Sequence, residues 1–241
     1  MHRRLGHGCF GRYSGGRRQA GPVQEVLWLP ECNLGAHVEH AFHALALDER
    51  RKNFVPTLWE QTPEGKAKGQ ELKQVWFAGV HCDVGGGYDV HGTSDIPLAW
   101  MASEVSPYLD IDFDYLKLRR DLSSKWALGE VHESFGPEWK ALGEAARTPF
   151  TKDQTKTFEK VHASVDFRRK GGGLGADKQA YASKVLKDAD YQTFNVDLSP
   201  LENGLKWVDT DVKPGEVSGA SVAAKAQKFF EGIPGWFGVT I

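Results

Sequence analysis

Several features that define large classes of protein are scarce in this chain. Its 241 residues include three cysteines, Cys9, Cys32 and Cys82, which are too few and too scattered for a disulfide framework or an all-cysteine metal site. The longest purely apolar runs are a few residues, far short of the roughly 20 that cross a bilayer. Scattered thiols favour a reducing compartment, so we expect a cytoplasmic protein without a transmembrane segment.

An excess of positive charge is lacking as well. The chain has 30 Lys and Arg against 32 Asp and Glu, a net charge of −2, whereas dedicated nucleic-acid binders are usually basic. We therefore expect no nucleic-acid partner. The composition, with 40% hydrophobic, 11% aromatic and 26% charged residues, is typical of a globular protein. The length fits one large domain or two small ones with a sizeable core.

The first 22 residues differ from the rest. They contain five Arg and six Gly and no acidic residue, which predicts a disordered start, with a targeting peptide as the alternative. The apolar segment of a secretory signal is missing from them. We expect the main domain to span residues 23–168. A helical region is expected at 169–241, packed on the same domain, with helices near 177–189 and 219–231. Helices are also expected near 114–128 and 137–147, within the main domain.

A strand, a glycine loop and a helix follow one another in the middle of the chain. The apolar run at 75–80 is typical of a strand that is buried on both faces in a parallel sheet. The three glycines at 85–87 predict a loop, and a helix with a wide apolar face is expected from Thr93 or Ser94 to Val105. This order indicates an α/β fold. Residues 37–47 form an earlier apolar segment, which periodicity leaves open between strand and short helix.

Two residues that carry chemistry follow these apolar segments. Asp48 ends the earlier one and His81 ends the strand at 75–80. In α/β proteins the loops after buried strands hold the catalytic side chains. An acid that precedes a histidine also fits the chain order of an α/β-hydrolase triad. The alternative is that His81 only satisfies backbone groups of its loop.

Three stretches around these residues resemble one known family. They are the segments 43–59 (HALALDERRKNFVPTLW), 74–88 (QVWFAGVHCDVGGGY) and 94–101 (SDIPLAWM). They look like the catalytic domain of type VI secretion phospholipase effectors (Tle-like), which was long a domain of unknown function. The resemblance covers about residues 36–105. A weaker similarity to the family's His-x-Ser-Val segment lies at 161–168 (VHASVDFR).

The resemblance implies an α/β-hydrolase fold and an ester hydrolase of the lipase or phospholipase kind. Its substrate would be a lipid or another ester, and it would need no cofactor and no metal. His81 maps to the base and Asp48 to the acid, with Asp83 as the rival acid. Asp83 is only two residues from His81, so it more readily braces the glycine loop through side chain–backbone bonds. Cys82 stands where the family commonly has serine.

The family's serine nucleophile has no counterpart in these 241 residues. The family carries a Gly-x-Ser-x-Gly elbow upstream of the other motifs, and no serine here has glycine two residues away on both sides. Ser14 comes near, with Gly16 after it but Arg12 before it. We therefore expect the C-terminal portion of an α/β-hydrolase that is inactive as this chain. The alternative is a non-catalytic remnant or binding module, and either could self-associate through an exposed sheet edge.

Overall fold

A parallel sheet organises the part of the chain that the structure describes. The computed structural model describes residues 32–119, 121 and 125–205. Four strands form this sheet in the order β2 (His40–Ala46), β4 (Glu71–Phe77), β5 (Glu159–His162) and β6 (Asn195–Val196), and every neighbouring pair is parallel. Helices connect them, so the predicted α/β class with parallel strands is confirmed. The expected start at 1–22 and the helix near 219–231 lie outside the described residues.

The bounds of the elements are as follows. The strands are β1 (Asn33–Leu34), β2 (His40–Ala46), β3 (Glu60–Gln61), β4 (Glu71–Phe77), β5 (Glu159–His162) and β6 (Asn195–Val196), and β1 pairs with β3 in a small parallel sheet of its own. The helices are α1 (Pro63–Ala67), α2 (His81–Gly85), α3 (Asp95–Val105), α4 (Phe113–Arg119), α5 (Pro137–Lys140), α6 (Gln154–Thr157), α7 (Ala163–Lys170), α8 (Asp190–Thr193) and α9 (Pro200–Leu205). A 3-10 turn covers Lys52–Phe54.

Strand β4 is central because both of its faces are buried. Successive side chains of a strand point to opposite faces, so Val75 and Phe77 enter one apolar cluster while Trp76 enters another. All three are 1% exposed. The amide of Gln74 donates to the carbonyls of Trp59 (3.0 Å) and Thr157 (2.7 Å), which satisfies a buried polar group and ties both neighbouring segments to the strand.

The register brings the carboxyl ends of three strands to one edge. Ala46 of β2 lies beside Phe77 of β4, and Trp76 lies beside Val161 of β5. Residues that follow these strands therefore meet at this edge. Strand β2 pairs only with β4 among the described residues, so its other side is an edge of the described part of the sheet. The expected self-association through such an edge stays a prediction that light scattering on the purified chain can test.

The helical predictions beyond residue 106 are partly wrong. Helix α4 ends at Arg119 and α5 at Lys140, so both are shorter than expected. The helix predicted at 177–189 is absent, since this segment forms turns and bends. There Lys178 has a left-handed backbone (φ 60°), and the Asp177 side chain accepts the N–H of Gln179 (3.0 Å). A side chain that bonds the backbone locally in this way competes with a helix.

The predicted helix after the glycine loop is confirmed as α3, which begins at Asp95. The glycine loop itself starts with the single helical turn α2. Among the described residues, no helix combines the length and the apolar character that crossing a membrane requires.

Candidate active site

A pocket opens at the carboxyl ends of β2 and β4. Its volume is about 260 Å³. We call it the strand-end pocket, and its walls include Asp48, Glu49, Val131, His132, Arg147 and Tyr181. This is the sheet edge at which open α/β folds bind their ligands.

Asp48 is a half-buried part of the wall of this pocket. One of its oxygens, Oδ2, accepts the backbone N–H of Gly79 (2.6 Å) and the hydroxyl of Tyr181 (3.0 Å). Burial raises the pKa of Asp48 to about 6, although these two donors and the charge of Arg168 work in the opposite direction. The carboxyl group therefore exchanges its proton close to neutral pH, which is a useful property for a group beside a reacting substrate.

His81 lies at the end of the neighbouring strand but is not joined to Asp48. It is the first residue of α2, and its ring meets the Phe54 ring edge-on with 5.0 Å between centroids. Partial desolvation lowers the pKa of His81, and the negative charge of Glu49 opposes this shift. The hydrogen bonds of Asp48 go to Gly79 and Tyr181 instead, so the structure does not form the expected Asp48–His81 contact. The catalytic roles assigned to the two residues stay a prediction.

Both carboxylate oxygens of Asp83 are hydrogen-bonded. Its Oδ2 accepts the backbone N–H of Val80 (2.9 Å) and that of His132 (3.0 Å), so it braces the loop, which is the alternative role expected for it. Its Oδ1 lies 2.6 Å from Nδ1 of the His132 ring. Gly79 makes room for this arrangement, because it has φ +104° and a Cβ there would overlap the Asp83 side chain.

His132 was missed by sequence reasoning. Its ring stacks on Tyr88 with 3.7 Å between centroids, and its side chain is 23% exposed. The residue lies in an irregular segment, 49 positions from Asp83, so neither periodicity nor spacing connects the two. Only the fold brings this imidazole to the carboxylate.

Glu49 fixes the same segment from the other side. It is 1% exposed, and its carboxylate accepts two side-chain N–H groups of Arg51, the backbone N–H of His81 (3.2 Å) and the hydroxyl of Ser134 (3.0 Å). Burial alone would raise the pKa of Glu49, but these donors outweigh it and lower the pKa to about 2. Glu49 is therefore an anchor for the loop that carries His132.

A second histidine site closes the end of β5. His162 lies within the segment at 161–168, at the junction of β5 and α7. Its Nδ1 is 2.8 Å from Oγ of Ser164, and its Nε2 is 2.9 Å from Oε1 of Glu202. The His162 ring is fully buried, and the cavity that Ser164 lines has a volume of about 10 Å³. Such a space holds about one water molecule, so no substrate reaches this serine.

One family model matches the chain, and it covers residues 15–104. That family is described as T6SS, Phospholipase effector Tle1-like, catalytic domain. The resemblance expected from the motifs is thereby confirmed. The matched Tle1-like segment includes β2, β4 and the residues Asp48, His81 and Asp83, whereas His132 and His162 lie beyond it. No curated protein and no solved structure matches the chain.

Proposed function

We propose that the chain carries the acid–base part of a carboxylic-ester hydrolase of the lipase or phospholipase kind, on a partial α/β-hydrolase fold. The observation that supports this most is the Tle1-like match, because it covers both strands whose ends form the strand-end pocket. The pocket holds a carboxyl group that titrates near pH 6 and an imidazole with a carboxylate partner. Groups of these types move protons in ester hydrolysis.

The nucleophile is the part that we propose this chain does not supply. A serine elbow needs glycine on both sides because the turn is strained, and no serine of the 241 residues has this pattern. Ser164 has an imidazole and an acid beside it, but it faces a cavity of water size. The substrate would be a phospholipid or another ester, and the chemistry requires no cofactor and no metal.

Two assays test this proposal. The purified chain is treated with a fluorophosphonate probe and offered phosphatidylcholine vesicles, and we expect neither labelling nor hydrolysis. Stoichiometric labelling of any serine would contradict the absence of a nucleophile.

The second assay concerns the hydrolase itself. The DNA upstream of the coding sequence is translated in all three forward frames and searched for a Gly-x-Ser-x-Gly elbow. If one is encoded, the extended chain should hydrolyse the vesicles and lose this activity when the elbow serine is replaced by alanine. An extended chain that folds but leaves the vesicles intact would favour the alternative of a non-catalytic binding module.

A further inference from the structure

We propose that Arg147 is an anion-binding residue of the strand-end pocket and holds the phosphate group of a phospholipid headgroup. This inference rests on the proposed ester hydrolysis and adds a substrate-binding group to it. Arg147 lies beyond the matched Tle1-like segment, which ends at residue 104. The observation behind the proposal is a buried guanidinium that has no carboxylate partner and forms part of the pocket wall.

The backbone of a neighbouring segment fixes the position of Arg147. The N–H of Ala145 bonds the carbonyl of Arg50 (2.8 Å), so the chain before Arg147 lies beside the residues that follow β2. The guanidinium then bonds the carbonyl of Phe54 (2.7 Å), although the two residues are 93 positions apart. A group that is already in place loses little conformational freedom when a ligand arrives, which favours binding.

The described protein does not neutralise the charge of Arg147. The residue is 5% exposed, and its side chain donates to the carbonyls of Ala145 (3.2 Å) and Phe54 (2.7 Å). Within the described ranges no carboxylate forms an ion pair with it. Desolvation lowers the pKa of Arg147, and the charge of Glu49 opposes this shift, but Glu49 is itself bound by Arg51 at 2.7 Å. A buried cation without a carboxylate partner gains from an anion that reaches it.

The N–H groups that remain on Arg147 suit a phosphate. Nη1 and Nη2 each donate to one carbonyl, and each nitrogen has a second N–H. The planar guanidinium can direct two parallel N–H groups at two oxygens of one phosphate. The ammonium group of lysine is a point charge without this fork, so an exchange of Arg147 for lysine separates the charge from the geometry.

The other charges of the wall indicate which kind of headgroup fits. Acidic side chains outnumber basic ones there: the acids are Asp48, Glu49, Glu133, Glu144 and Asp177, and the bases are Arg50, Arg147 and Lys184. Arg50 is engaged by two of these acids, at 2.7 and 2.9 Å. A headgroup that carries a positive group as well as a phosphate therefore fits this wall better than a purely anionic one.

The proposed subsite lies next to the residues expected to carry the chemistry. Asp48 belongs to the same wall. Desolvation lowers the pKa of His81, and the positive charges of Arg51 and Arg147 add to this shift, so His81 lies within electrostatic reach of Arg147. The pocket, at about 260 Å³, is below the roughly 300–1,000 Å³ of pockets for drug-sized ligands, so it accommodates a headgroup rather than acyl chains. A phosphate on Arg147 would position the ester bonds of the same lipid near these strand ends.

The experiment measures the binding of headgroup analogues to the purified chain by isothermal titration calorimetry. The probes are glycerophosphocholine, inorganic phosphate and choline. We expect the wild type to bind glycerophosphocholine, to bind inorganic phosphate more weakly, and to show no binding of choline alone. R147Q should weaken the binding of glycerophosphocholine by at least about tenfold, because hydrogen bonds to a charged group are lost. R147K should lose less, since it keeps the charge without the fork.

K184Q is the matched control. It removes one positive charge from the same wall, at an exposed side chain that has no ion pair among the described residues. Water and salt screen such a charge, so binding of glycerophosphocholine should change by less than about threefold. Thermal unfolding without ligand shows whether each variant is folded.

Four results would overturn the proposal. These are a wild type that does not bind glycerophosphocholine, an equal loss in K184Q and R147Q, choline that binds as tightly as glycerophosphocholine, and binding of inorganic phosphate alone. The third result would assign the affinity to the acids of the wall, and the fourth would indicate a site for free phosphate instead of a headgroup.

The wild-type chain decides if the Arg147 variants do not fold. The Nε–H signal of Arg147, assigned through bonds by NMR, should shift as glycerophosphocholine is added. The corresponding signal of Arg169, whose Nε–H is bonded to Asp166, should stay in place. An Arg147 signal that does not move would overturn the proposal.

This test does not depend on turnover, because it measures binding at equilibrium. Failure of vesicle hydrolysis by the extended chain would count against the ester hydrolase and leave the calorimetric result unchanged. Absence of binding would count against the role of Arg147 and leave the proposed hydrolysis open to its own test.

Discussion

Two imidazole–carboxylate pairs lie at the ends of neighbouring strands. They combine the same chemical groups but differ in burial and in the ring nitrogen that the carboxylate contacts. In the first pair, near the carboxyl end of β4, the His132 ring lies 2.6 Å from the Asp83 carboxylate. In the second pair, at the end of β5, the His162 ring lies 2.9 Å from the Glu202 carboxylate. The His132 side chain is 23% exposed, whereas that of His162 is fully buried. The carboxylate binds Nδ1 in the first pair and Nε2 in the second.

The second nitrogen of each ring shows what this difference means. Nδ1 of His162 accepts from the backbone and the hydroxyl of Ser164, so both of its nitrogens are used. Glu202 in turn accepts the N–H of Ser199, whose hydroxyl contacts Ser103 of α3. The buried pair is a structural tie between β5, α9 and α3. The open pair leaves one ring nitrogen facing the pocket, so the two pairs differ in access to solvent and ligands.

The largest effect is expected when the buried contact between His162 and Glu202 is removed. H162A should lower the free energy of unfolding by about 3–5 kcal/mol, because it leaves the Glu202 carboxylate buried without its imidazole. H132A should cost only about 1–2 kcal/mol, since Asp83 keeps two backbone donors and the site is partly open to water. Urea denaturation of both variants measures the difference. Equal losses of unfolding free energy in the two variants would contradict the distinction between a buried structural pair and a partly exposed pair in the pocket.

The next effect concerns the backbone that positions Asp83. G79A should cost about 2–4 kcal/mol, because a side chain at φ +104° is strained and its Cβ would overlap Asp83. Gly69 offers a control with φ +74° and open space around its Cβ, so G69A should cost about 1 kcal/mol. Thermal unfolding in parallel compares them. If G69A were as costly as G79A, close packing against Asp83 would not matter.

A smaller effect is expected from the charge of Asp48 in the pocket. Its pKa of about 6 in the folded chain lies above the ordinary 3.8, so the folded state binds the proton more tightly than the unfolded state. This contribution to stability is fully present below about pH 3.8 and is lost as the pH rises through 6. At pH 7 the ionised group therefore costs up to about 3 kcal/mol.

D48N removes this titration while keeping an oxygen for Gly79 and Tyr181. We expect it to stabilise the chain by about 1–3 kcal/mol at pH 7 and to have no such advantage at pH 4. The difference in unfolding free energy between D48N and the wild type, measured from pH 4 to 7.5, tests this. A difference that does not change with pH would show that Asp48 titrates normally.

The features that could be predicted from the sequence are those that depend on local patterns of residues. Strand β4 and helix α3 were evident because an apolar run and an apolar face are local patterns. Asp48 and His81 were recognised because each directly follows such a segment. His132 gives no such signal, since its irregular segment gains meaning only when Asp83, 49 residues away, holds it. His162 was noticed within a motif, but its partner Glu202 lies 40 residues further on. Long-range pairing of this kind is set by the sheet register and not by spacing.

The tautomers of the two rings test the central claim most directly. Imidazole ¹⁵N spectra of the wild-type chain are recorded at a pH at which both rings are neutral, with H132Q and H162Q to assign the signals. The account predicts opposite states, with the proton on Nδ1 in His132 because Asp83 accepts there, and on Nε2 in His162 because Glu202 accepts there. A His132 ring that carries its proton on Nε2 would contradict the account, because Asp83 would then not accept a hydrogen bond from Nδ1 and the two pairs would not differ.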